Sequence, residues 1–278
     1  MDGLMHRKRM ANLIKSMPKI GTKAYGDYIV NWQEIRTFLN FILFMVSYGD
    51  YSRDIAQNAL LSCYVDGSEE KKKLLDTREK QVGMVDRLKE HKQFLMETLH
   101  VRLIDNFLNY ISSLLYEIFT KRPQTLKSKE LVDFATVVSC ESLSSLVHTL
   151  AEIKTSKLTY KSYNDICQYL YESLGIKVPE SCNDDVVLAI ELRNIIVHNR
   201  GCADERFISK TKSDKRIFKK KYNMHIDLFE RFEFVLLSKV AEIDLATRKH
   251  LKIRGYKANG IGSKTIGRSD KLEVKKSN

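Results

Sequence analysis

From Asp76 to Lys121 the chain runs without a proline, and its apolar residues keep the three-and-four spacing of one helix face. Phe94, Leu95, Leu99, Leu103, Phe107, Tyr110, Leu114 and Ile118 mark that face, and Pro123 ends it. The segment is either a single helix of about 70 Å, at ~1.5 Å per residue, or two helices broken near Gly83. The rest of the chain agrees with an all-α bundle of long antiparallel helices. It has only 12 Gly and 3 Pro in 278 residues, no run of strand-like alternation, no repeat and no glycine-rich phosphate loop. At 43% hydrophobic residues the chain can bury a sizeable core.

Further helices are predicted on either side. Residues 32–48 form one, with Trp32, Ile35, Phe38, Leu39 and Ile42 at helical spacing, and 51–63 follow after a break at Gly49. Its most hydrophobic stretch, 38–48, is too short to span a bilayer and reads as a core helix. GSEEKKK (67–73) reads as a polar turn, and shorter helices fall near 127–138, 140–154 and 163–173, with a last one over 224–252. Residues 1–30 read as an N-terminal extension with Leu4, Met5, Met10, Leu13, Ile14 and Met17 as apolar helix positions; it lacks the continuous apolar core of a signal peptide. The helical domain then covers 31–254, and 255–278 form a basic tail with no core pattern. The five cysteines (Cys63, Cys140, Cys167, Cys182, Cys202) are scattered, without CxxC pairs or zinc-type spacing. They read as reduced thiols of a cytoplasmic protein, with no metal and no cofactor implied.

One helix carries polar residues that call for a physical reason. SCNDDVVLAIELRNIIVHNRG opens with the cap-type residues Ser181 and Asn183, continues with Asp184 and Asp185, and closes at Gly201. Most of its faces are apolar. With about 100° per residue, Glu191 and Asn194 fall within roughly 40° of His198, while Arg193 sits about 140° away. A buried polar stripe is costly unless it is satisfied or used. It is either an internal hydrogen-bond network, a solvent-facing edge, or the seat of a reaction.

The chemistry these residue types favour is cleavage of an RNA phosphodiester by its own 2′-hydroxyl. That reaction needs a base, an acid and positive charge on the transition state. His198 titrates near neutrality and serves as acid or base. Arg193 stays charged and fits a phosphate bidentately. Asn194, one turn before His198, is placed to orient the imidazole or to donate to phosphate, with Glu191 as a supporting partner. The net charge of +12 is local: residues 206–221 carry a net +7 and residues 248–278 a net +8, so the remainder is slightly acidic. Arg206, Lys210, Lys212, Lys215, Arg216, Lys219, Lys220 and Lys221 therefore read as an RNA-binding run just beyond the site helix, with Phe218 and Tyr222 as stacking candidates.

Arg193, Asn194 and His198, spaced R-N-x-x-x-H, resemble the R-x4-6-H signature of the HEPN superfamily, all-helical domains many of which are metal-independent ribonucleases. VHNRG with ADERF (197–207) and IFTKRPQTLKSKEL (118–131) also look like a group of bacterial HEPN proteins, and the resemblance covers about residues 30–253. It implies a HEPN-like bundle and a homodimer with a composite site, the Glu191/Asn194/His198 stripe serving as the symmetric contact. It also implies a toxin or anti-phage, stress-response role in which an antitoxin or other regulatory partner has a place. Two other readings stay open: a non-catalytic dimerisation scaffold, and a basic RNA-binding module without chemistry.

Overall fold

The computed structural model of the protein describes residues 3–127 and 131–257. Of the tail predicted from 255, residues Tyr256 and Lys257 pair as a strand with Ile20 and Gly21 and so belong to the fold, while 258–278 lie outside the described residues. The fold is all-α, with one minor two-stranded pairing.

The chain begins with α1 (Gly3–Ser16), whose Met10, with Met17 just beyond, enters the core. Strand β1 (Ile20–Gly21) follows, then the 41-residue α2 (Lys23–Cys63). Thr22 caps α2 by accepting from Tyr25 N–H at 3.1 Å. The predicted boundary between 30 and 31 falls inside this helix, whose Tyr25, Tyr28 and Ile29 are buried before it and Trp32 and Ile35 after it. The predicted break at Gly49 is absent as well. Glycine is there for close approach: a Cβ on Gly49 would lie 2.6 Å from Met84 Sδ of the neighbouring helix.

The segment read as a polar turn is the start of α3 (Glu69–Lys80). Ser68 caps it, Glu69 and Glu70 occupy its first turn and Arg78 and Lys80 its last, which suits the helix dipole at both ends. The chain then breaks at residues 81–83, as expected near Gly83, and a second, unexpected break at His91 (φ −98°, ψ 8°) makes three helices of the predicted one or two; between the breaks lies α4 (Met84–Glu90). Its first N–H groups are capped from α2, where the Asp50 carboxylate accepts from Met84 at 2.7 Å and Val85 at 2.9 Å.

The long apolar face belongs to α5 (Lys92–Lys121), which is the axis of the bundle; fourteen of its thirty residues are buried. Packed on it are α2, α7 (Leu143–Thr159), α9 (Asn183–Asn199) and α11 (Ile226–Leu251). Pro123 opens a single 3-10 turn, and of the helix predicted near 127–138 only α6 (Phe134–Val138) is seen, residues 128–130 lying outside the described set. The short α8 (Tyr163–Leu174), with a Ser162/Asp165 capping box, leads to the loop before α9. A further short helix, α10 (Glu205–Thr211), was not foreseen in the basic run.

The two ends of the described chain meet. Strand β2 (Tyr256–Lys257) pairs antiparallel with β1, and each is too short to show alternation in sequence. Beside this pairing the buried Asp244 carboxylate accepts from Thr22 N–H and hydroxyl, tying the start of α2 to α11. Glu233 of α11 accepts from Trp32 Nε1 at 2.8 Å and from the Arg36 guanidinium at 3.0 Å.

The segment 38–48 is not a core helix. Phe38, Phe41, Leu43, Phe44, Met45 and Tyr48 are all exposed, because α5 contacts α2 along its first part and leaves the outer half uncovered. Among the described residues no helix is long and apolar enough to cross a membrane. All five cysteines are free thiols.

Candidate functional site

The site helix α9 starts one residue earlier than its cap residues suggest. Cys182 holds the cap position at φ +62° without a side-chain cap bond, and Asp184 and Asp185 occupy the first turn, Asp185 pairing with Arg231 of α11. The helix ends at Arg200 in the left-handed region, and Gly201 (φ +79°) follows, its N–H bonded to Ile195 C=O at 2.9 Å. That glycine is needed, since its carbonyl accepts from Tyr222 N–H and a Cβ there would press on Glu97 Oε1 at 3.2 Å.

Two buried polar groups from other helices fix where α9 sits. His100 of α5, fully buried, shares a 2.9 Å hydrogen bond from Nε2 to Ala189 C=O, while its Nδ1 is buried without a hydrogen-bond partner. Burial pushes the His100 imidazole down to about 4, so it is neutral near pH 7 and donates from Nε2. Lys239 of α11, almost wholly buried, donates to Pro179 C=O and so pins the loop that delivers α9.

Arg193, Asn194, His198 and Glu191 line one groove of about 520 Å³, together with Arg206 and Lys210. Its walls are α5 (Leu108, Ile111) and the turn between α7 and α8, which brings Tyr160 and Lys161. The α9 residues lining the groove span about 160° of the helix. This is how Arg193, far round from His198, reaches the same space. It leans towards α5, where its Nε donates to Asp105 Oδ1 at 2.9 Å.

Within the groove Glu191 is the hub. Its buried carboxylate accepts from Lys210 Nζ at 2.9 Å and from the Asn194 amide at 3.4 Å, and the Arg206 guanidinium lies 3.8 Å away. Asn194 is therefore not engaged with His198 as its spacing suggested; its amide serves Glu191 and its carbonyl accepts from Arg193 Nη1 at 3.4 Å. His198 itself is exposed at the end of the stripe.

The basic run divides in two. Asp204 caps α10 by accepting from Phe207 N–H at 2.7 Å, and Phe207 is fully buried. With that anchor, Arg206 and Lys210, four apart, both face Glu191. The other six do not line the groove. Lys221 pairs with Glu97 at 3.1 Å, Arg216 pairs with Asp214, and Lys212, Lys215, Lys219 and Lys220 are exposed. Tyr222 is half-buried with its ring edge-on to Phe207 at 5.8 Å, so it is no free stacking surface; Tyr160, which the sequence reading passed over, is 89% exposed at the groove lip.

Sequence reasoning also missed Asp105, Lys161, His100 and Lys239. Each lies on another element, and no local spacing connects it to the motif. Four cationic side chains (Lys161, Arg193, Arg206, Lys210) thus face one carboxylate and one imidazole, an arrangement suited to a phosphodiester. Among the described residues no three His, Cys, Asp or Glu side chains are grouped to hold a metal ion. The chain matches no family model, no curated protein and no solved structure.

Proposed function

We propose that the protein is a HEPN-type endoribonuclease that cleaves RNA through the 2′-hydroxyl. The observation that carries this reading is the single groove shared by Arg193, Asn194, His198, Arg206 and Lys210. The scissile phosphate lies against Arg193, whose Nε is committed to Asp105 and whose Nη1 also donates to Asn194, so that the Nη2 edge of the guanidinium is the one offered to the phosphate. His198, exposed beside it, transfers the proton: it takes the 2′-hydroxyl proton, or delivers one to the departing 5′-oxygen. The 2′-oxygen forms its bond to phosphorus as the bond to the 5′-oxygen breaks, leaving a 2′,3′-cyclic phosphate. Arg206, Lys210 and Lys161 hold the neighbouring phosphates, and Tyr160 offers a face on which a base stacks.

The two proton transfers call for two groups, and each chain's groove lining carries one imidazole. A homodimer with a composite site supplies the second, in keeping with the HEPN resemblance. A toxin or defence role, restrained by a partner, follows from the same resemblance.

The test is cleavage of a mixed RNA pool in EDTA with product ends mapped, comparing wild type with Arg193→Ala and His198→Ala. The expected result is 2′,3′-cyclic ends from wild type and a loss of about 100-fold or more in either variant. Binding of RNA without cleavage, lost on removing Lys210 and Arg206, would make the chain a binding module instead. Equal cleavage by all three proteins would remove Arg193 and His198 from the chemistry.

A further inference from the structure

Residues 36–95 contain no buried side chain. They form an arm, the outer half of α2 with α3 and α4 folded back along it. Hydrogen bonds join its helices: Asp50 capping α4, Arg78 to Asn58 at 2.8 Å, and Gln57 to Gln81 at 2.8 Å. Helices of this length draw most of their stability from burying an apolar face. Here that face is present and uncovered.

Phe41, Phe44, Tyr48, Tyr51 and Ile55 follow one another at intervals of three and four, and each is more than half exposed. This is the seam of a coiled coil over two heptads. It lies on the side of α2 away from Gly49, Asp50 and Gln57, the positions that meet α3 and α4. The Phe44 and Tyr48 rings are already stacked, 5.7 Å apart and 16° from parallel, so the ridge is partly pre-organised.

We propose that this seam is the contact between two copies of the chain. A 3-4 seam is matched by another helix with the same repeat, and a second α2 brings an identical one, as a two-fold interface requires. Residues 37–49 carry no charge, so the centre of such a pair opposes no like charges. The area also fits. Taking ~200 Å² for a whole Phe or Tyr side chain, the half-exposed seam with Phe38 and Met45 offers on the order of 800 Å² per copy. A stable interface of standard size needs about that much. The contact is separate from the stripe around His198 and uses none of the residues assigned to RNA cleavage.

Light scattering on the full chain after size exclusion tests it. Wild type at tens of micromolar is expected at twice 32.3 kDa from the seam alone, and at four times 32.3 kDa or more where the composite-site contact forms as well. Phe44→Glu with Tyr51→Glu is expected to weaken self-association by about 30-fold or more, with unchanged helical circular dichroism since both positions are exposed. Benzoylphenylalanine in place of Phe44, photolysed in the otherwise native chain, should give a cross-linked dimer whose adducts fall within 41–55 of the other copy. A wild-type monomer, a mass unchanged by both glutamates, adducts on the site helix in place of 41–55, or a monomer that instead binds phosphatidylcholine–phosphatidylglycerol vesicles would each overturn the proposal.

Discussion

Glu191 shows how one side chain's meaning depends on what surrounds it. A carboxylate buried on a mostly apolar helix is stable there only because Lys210, Asn194 and Arg206 supply hydrogen bonds and charge. Glu191→Ala leaves two cations facing each other without their acceptor. Because Lys210 and Arg206 are themselves 37% and 67% exposed, solvent softens the loss, and the expected cost is about 1–2 kcal/mol in chemical denaturation. Asp105 acts differently. It holds Arg193 from a position 34% exposed, so Asp105→Asn is expected to leave the melting temperature nearly unchanged. On the ribonuclease reading it should lower kcat/KM on RNA by about tenfold, through loss of arginine positioning. A large fall in stability with unchanged cleavage would assign Asp105 to the fold alone.

At the scale of elements, buried groups that titrate join helices, His100 holding α9 and Asp244 the start of α2, and this gives a pH signature. The His100 imidazole is held near 4 in the folded chain against about 6.5 when unfolded. The unfolded chain therefore takes up the proton first on acidification. The stability His100 contributes is complete above about 6.5 and is lost as pH falls towards 4. Asp244 has the opposite sign: burial raises its carboxyl to about 6, so its contribution is complete below the ordinary carboxylate value and is lost as pH rises through about 6. The two nearly offset in the wild type. In His100→Gln only the first is removed, so the stability of the variant relative to wild type should rise by about 2 kcal/mol between pH 7 and pH 5. A pH-independent difference would mean that His100 is not held neutral. The same loop gives a second test. Gly175 ends α8 at φ +68°, and a Cβ there would lie 2.6 Å from His250 Nε2. Gly175→Ala is expected to destabilise by about 1–2 kcal/mol, measured by thermal unfolding.

At the scale of the whole molecule, segments near the two ends of the described chain close the fold. Tyr25, Tyr28 and Ile29 sit in the core, and Thr22 joins Asp244 across more than two hundred residues. Removing residues 1–30 should therefore abolish cooperative unfolding, whereas removing 1–8, before the buried Met10, should leave the melting temperature within a few degrees of wild type. The arm formed by outer α2, α3 and α4 shares none of this closure. Its contribution to the molecule lies in what it meets outside the chain.

The helical class, the α5 face, the stop at Pro123, the break near Gly83 and the site helix with Arg193, Asn194 and His198 were all legible from residue spacing. Each is a relation between residues a few positions apart, which periodicity and end signals record directly. That Gly49 does not break its helix was not legible, because it accommodates Met84 of a helix more than thirty residues further on. Nor was α10, a seven-residue helix that exists because Asp204 caps it and Phe207 is buried. The division of the basic run, with Arg206 and Lys210 turned to Glu191 and Lys221 to Glu97, likewise depends on carboxylates from other helices. Asp105 and His100 reach the site helix from 88 and 89 residues away, and Lys239 reaches the loop before it from 60. Amino-acid order alone determined which side chains share a helix face; packing against α5 and α11 decided which faces meet, because a hydrogen bond between distant helices leaves no local period behind.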